Sequence, residues 1–122
     1  MEIRRKNING NKWELVNEYW ETYNSWGHKT TIIRNGYDYG THKVRYYNRT
    51  WESYTYQTCM SSAILGLQKE EIDKYIQRYK EKNNITRFRK GEKQQVIREF
   101  KDTELGIELQ ELKNSVKEKN FD

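Results

Sequence analysis

Large apolar side chains recur at helical spacing over most of the chain and alternate around one Asn-Gly pair. In residues 12–26 (KWELVNEYWETYNSW), Trp13, Leu15, Val16, Tyr19, Trp20, Tyr23 and Trp26 fall in one half of a helical wheel. That spacing predicts an amphipathic helix, capped by Asn11 and stopped by Gly27, although Trp, Tyr, Val and Thr favour strands. Its aromatic face reads as core, or alternatively as a protein-binding or base-stacking surface. Residues 1–11 (MEIRRKNINGN) are polar and basic and read as an arm ahead of a single domain spanning 12–122.

Residues 28–47 change character. Asn35-Gly36 separates two β-branched and aromatic runs, and both central residues of a type I′ turn need positive φ, so the segment predicts a β-hairpin. A two-residue turn would set Arg34 opposite Tyr37 and Ile32 opposite Tyr39, with Gly40 as a bulge. Beyond it the helical period returns. Residues 48–68 carry a stripe of Tyr56, Cys59, Met60, Ala63, Ile64 and Leu67, with Thr50 as N-cap, and residues 69–83 carry Ile72, Tyr75, Ile76 and Tyr79. Residues 85–91 form a basic connector. Residues 92–101 and 103–119 are helical, as one bent element or two, with Leu105, Leu109, Leu112 and Val116 on one face. The expected fold is therefore α+β: an N-terminal amphipathic helix, a β-hairpin, then three or four helices.

Composition sharpens this picture. Leu, Ile, Val and Phe supply 23 of 122 residues, while Trp and Tyr add 14 more large side chains, so the core must be largely aromatic. The longest apolar run is too short to span a membrane, and the N-terminus lacks the apolar stretch of a secretory signal. A cytoplasmic protein is expected. One cysteine excludes an intrachain disulfide and a Cys-rich zinc site.

The formal net charge of +5 is unevenly spread. Residues 28–101 hold sixteen basic and eight acidic groups, whereas residues 102–122 hold three basic and six acidic. A basic field of this kind attracts phosphate backbones or acidic protein surfaces. Two clusters concentrate it. Lys43, Arg45, Tyr47, Arg49 and Trp51 interleave cations with rings, suited to phosphate pairing and base stacking, next to a helix start that offers free N–H groups. Arg87, Arg89 and Lys90 surround Phe88 in a short loop with Lys93 close behind, a common form of phosphate-contacting segment. The alternative is a solvated strand face and a solvated loop.

Catalytic chemistry has little to stand on. His28 and His42 lack further ligands at metal-site spacing, Cys59 lies on an apolar stripe, and there is no Gly-rich phosphate loop or nucleophile elbow. No catalytic residue, metal ligand or cofactor is assigned.

Asn, Lys, Ile and Tyr make up 45 residues and Pro is absent. In size and in this composition the chain resembles the accessory proteins of phages and mobile elements of low-GC Gram-positive bacteria, a class that includes anti-CRISPR inhibitors of host defence. The resemblance implies no residue roles. It implies a non-catalytic protein acting on nucleic acid, RNA in particular, or on a nucleoprotein complex such as a CRISPR-associated nuclease in the cytoplasm of a bacterial host. The alternative is a protein-interaction or assembly module using the aromatic helix and the C-terminal leucine stripe.

Overall fold

A computed structural model describes residues 1–46 and 56–122. The chain opens with four strands, β1 (Glu2–Ile8), β2 (Asn11–Glu21), β3 (Trp26–Arg34) and β4 (Tyr37–Tyr46). Three helices follow, α1 (Tyr56–Lys82), α2 (Glu92–Lys101) and α3 (Glu104–Glu118). The strands form one antiparallel sheet in the order β1-β2-β3-β4.

This corrects the expectation of an N-terminal helix followed by a hairpin. Residues 12–26 are extended, and burial in β2 has a period of two. Trp13, Leu15 and Asn17 are buried, while Glu14, Val16 and Glu18 between them are half-buried. The helical wheel misled because the sheet carries apolar residues on both faces, with Trp13 and Leu15 on one and Val16 and Trp20 on the other. The segment read as an arm is strand β1 and its turn. Asn9-Gly10 and Asn35-Gly36 make the same turn twice, with φ of 52° and 80° in the first and 49° and 81° in the second. Arg34 does face Tyr37. The pairing then shifts between Ile33↔Asp38 and Thr31↔Thr41, so Ile32 opposes both Tyr39 and Gly40 across a bulge.

The helices cover one face of this sheet. Ile8, Trp13, Leu15 and Ile32 meet Met60, Ala63, Ile64 and Leu67 of α1, Phe100 of α2, and Leu109, Leu112 and Val116 of α3. The leucine stripe is thus core, not a free dimerisation face. The helices expected over 48–68 and 69–83 are continuous from Tyr56 to Lys82, and residues 48–55 of the first lie outside the described residues. α2 and α3 are separate, because Asp102 ends one and the Thr103 side chain caps the other by accepting from the Gly106 N–H.

One buried polar network joins the two layers. The Glu108 side chain of α3 is fully buried, and it accepts hydrogen bonds from Trp13 Nε1 at 2.8 Å, Arg34 Nη2 at 2.9 Å and Asn11 Nδ2 at 3.1 Å. Burial by itself would raise its pKa. The hydrogen bonds from Arg34 and Trp13, with the adjacent guanidinium charge, outweigh that and hold the carboxyl below its ordinary range. Trp13 stacks on Tyr39 with centroids 5.9 Å apart, and the Arg34 guanidinium lies 5.7 Å from the Trp13 ring centroid. At the opposite edge the C-terminal residues follow β1: the Asp122 N–H donates to the Arg5 carbonyl, and its carboxylate accepts from the Asn7 N–H.

Candidate nucleic-acid interface

The helices leave the second face of the sheet uncovered among the described residues. Cross-strand pairing arranges this face in rows. Trp20, Gly27 and Arg45 form the first, Glu18, Lys29 and Lys43 the second, and Ile3, Val16, Thr31 and Thr41 the third. The strands fold this way because their opposite faces carry the core. A sheet residue two positions along from a core residue stays on the core face, so the intervening Lys43 and Arg45 must point outward.

Trp20 is the centre of the patch. Its indole N–H donates to the His28 carbonyl at 3.2 Å, which lays the ring across β3 at Gly27. A Cβ on Gly27 would collide with the Val44 carbonyl oxygen and come within 2.8 Å of the Trp20 ring. Glycine is what lets the indole settle on the strand. Two cations lie over the ring, the Arg45 guanidinium at 5.4 Å and the Lys43 ammonium at 5.8 Å from the centroid. Lys43 also stands directly opposite Lys29, whose own carboxylate partner is Glu18 at 3.8 Å. Like charges placed across an antiparallel pair oppose folding, so this arrangement holds positive charge together at some cost to stability. Arg5, Glu14 and Lys12 continue the face toward the Asn-Gly turns as a mixed-charge strip.

Comparison with protein families, characterised proteins and solved structures finds no match.

The residues singled out from the sequence are distributed over three places. Lys43 and Arg45 lie in the patch. Tyr47, Arg49 and Trp51 lie outside the described residues. Arg87, Arg89 and Lys90 are exposed in the loop between α1 and α2, and Lys93 is exposed in the first turn of α2. Phe88 fixes that loop by packing on Tyr79, with centroids 6.2 Å apart, under the Lys80 ammonium. The Arg89 N–H donates to the Glu92 side chain. The loop and the Lys43–Arg45 patch do not converge. Tyr56 begins α1 against His28, near the Trp20 end of the sheet, whereas the loop follows Lys82. At 1.5 Å per residue these ends of α1 are roughly 40 Å apart.

Lys29 has no signal in the sequence, and Trp20 stands there only as one ring of the expected helix's aromatic face, read as core or as a protein-binding or base-stacking surface. The usable signal is the other Asn-Gly pair, at 9–10, which makes residues 11–21 the partner of an upstream strand. Alternation then puts Trp20 on the face opposite Trp13 only once the 20s are counted in twos. His28, read as a weak ligand candidate, sits instead among Tyr19, Trp26, Tyr46 and Tyr56. Burial lowers its pKa. Burial likewise raises that of the Cys59 thiol, which packs in the core with a long contact to the His42 carbonyl. No group of three or more His, Cys, Asp or Glu side chains among the described residues is placed to hold a metal, and no described helix is long and apolar enough to cross a membrane.

Proposed function

We infer that this protein is a non-catalytic nucleic-acid-binding module that uses the uncovered face of its sheet. The observation carrying this is the indole of Trp20 tied to β3 by its hydrogen bond to the His28 carbonyl, with the Lys43 and Arg45 cations over its ring. A sheet face with an aromatic platform and flanking cations suits single-stranded nucleic acid. Exposed bases stack on the ring, while guanidinium and ammonium groups meet the phosphates. Lys29 opposite Lys43 fits the same use, since a bound phosphate would relieve their repulsion. The loop at Arg87, Arg89 and Lys90, with Lys93 in the first turn of α2, is a second, remote contact for a longer strand or for a nucleoprotein complex. The phage-like size and composition make a host defence nuclease with its guide RNA the class of complex to try first.

The test is titration of labelled single-stranded RNA and DNA, about a dozen nucleotides long, at several salt concentrations. Three neutralised phosphates give a log–log salt slope of about −2 on a single strand. Trp20→Ala should weaken binding about tenfold or more at every salt concentration, because one stacked base contributes about 1–3 kcal/mol. Lys43→Ala with Arg45→Ala should flatten the slope. A parent protein that binds neither strand, or a double variant with an unchanged slope, would remove the sheet face from consideration.

A further inference from the structure

The helical layer has its own unpartnered surface, on the side turned away from the sheet. A groove of about 490 Å³ runs between α1 and α3 and is closed at one end by the C-terminus of α2. Its apolar lining comes from Leu65, Ile72 and Phe100, and its polar lining includes Lys69, Lys101 and Lys113. No carboxylate lines it, and none of the three lysines is in an ion pair among the described residues. Leu65 is 54% exposed, and Ile107, next to the groove, is 40% exposed. They are the two large apolar side chains left open on the described helices.

We propose that this groove docks an acidic amphipathic helix of a partner protein. The shape argues for a helix. Leu65, Lys69 and Ile72 follow one another at i, i+4 and i+7 on α1, and Gly106, Gln110 and Lys113 do so on α3. Each wall therefore offers about two helical turns, the length over which a groove-bound helix places its apolar anchors. The charge argues for acid. A solvent-facing groove with three unpaired lysines and no carboxylate is complementary to aspartate and glutamate flanking an apolar anchor. The chain's own acidic C-terminus is not the occupant, because Asp122 is held on β1 by the Arg5 carbonyl and the Asn7 N–H. A protein with one face for nucleic acid and another for an acidic helix would bridge the two components of a nucleoprotein complex.

Selection from a library of random peptides of about 16 residues, roughly four helical turns, tests this with the intact chain as bait. Enriched peptides should carry apolar residues at i, i+4 and i+7 with Asp or Glu beside them. Leu65→Glu should weaken their binding about tenfold or more, a typical loss for a central anchor. Lys69→Glu combined with Lys113→Glu should also weaken them, and should restore affinity for the same peptides with their acidic residues changed to Lys. All three positions are solvent-exposed, so the variants should keep the parent melting temperature. The proposal fails if no peptide is enriched, if enriched peptides lack the acidic pattern, or if they bind the folded variants as tightly as the parent. Capture of phosphatidylglycerol vesicles dependent on Leu65, with no peptide enriched, would overturn it in favour of a lipid.

Discussion

The two faces of the sheet differ in what their polar groups do. On the helix-covered face, the polar side chains around Glu108 and Asn17 are buried and paired: Glu108 is fully enclosed by Trp13, Arg34 and Asn11, and the Thr30 hydroxyl donates to Asn17 at 2.7 Å, while farther along β3 the Trp26 Nε1 and His28 Nδ1 atoms are buried with no hydrogen-bond partner among the described residues. On the uncovered face, charge faces solvent, and Lys29 and Lys43 oppose one another. The first face specifies how the layers register. The second holds an electrostatic arrangement that folding alone does not favour. Substitutions on one should therefore move stability, and on the other, binding.

The largest effect belongs to Glu108→Ala. It strands the Trp13 N–H in the core and leaves the Arg34 guanidinium the 3.4 Å contact to Glu104 as its carboxylate partner, beside the Trp13 ring and Tyr39. The expected loss is about 3 kcal/mol, toward the lower end for breaking a buried pair because Arg34 keeps some solvent contact, and chemical denaturation measures it. Gly27→Ala should come next, at about 1–3 kcal/mol, because the added methyl meets the Val44 carbonyl and the Trp20 ring. It should also raise the solvent exposure of Trp20, readable by fluorescence quenching. That loss would tie the geometry of the open face to the strand pairing beneath it.

Acid sharpens the contrast. The folded state holds the Glu108 carboxyl below its ordinary range, so it releases this proton more readily than the unfolded chain does. The resulting stabilisation is complete above the ordinary glutamate pKa and is lost as pH falls through the lower folded value. The difference in melting temperature between the parent and Glu108→Gln should be greatest near neutrality and shrink below about pH 4. A difference independent of pH would mean that the Glu108 charge contributes nothing.

The smallest stability effect carries the most functional information. Lys43→Glu replaces a like-charge pair with an opposite-charge pair across β3 and β4, and should leave stability unchanged or raise it by about 0.5 kcal/mol. It should nevertheless weaken oligonucleotide binding. A variant that is both stable and fully competent in binding would make the lysine pair incidental.

How much of this was legible in the sequence follows from the same contrast. α1, α2 and α3 bury one stripe each and leave the rest polar, so Ile64, Leu67, Leu109 and Val116 announced themselves at helical spacing. β2 has apolar residues on both faces and buries Asn17, so neither period was clean and the helical one looked better. β1 hid for a related reason: Arg4 and Lys6 occupy its core-facing positions beside Ile8, which leaves the Asn9-Gly10 turn without an alternating strand to flank it. Glu108 stands among the glutamates of an acidic helix, and its burial depends on Arg34 and Asn11, more than 70 residues away. At the candidate interface, Lys43 and Arg45 were readable from charge next to aromatics. Trp20 was legible only as one of seven apolar residues on the face of a helix that does not form, so nothing in the sequence set it beside these two cations.

Mapping of amide chemical shifts during titration with a single-stranded oligonucleotide tests the assignment of the uncovered face most directly. The rows around Trp20, namely Glu18, Lys29, Lys43 and Arg45 with the Trp20 indole N–H, should shift together and return as salt is raised, while Leu15, Asn17 and Thr30 on the covered face hold still. Shifts confined to Arg87, Arg89, Lys90 and Lys93, with the Trp20 indole unmoved at saturation, would contradict it.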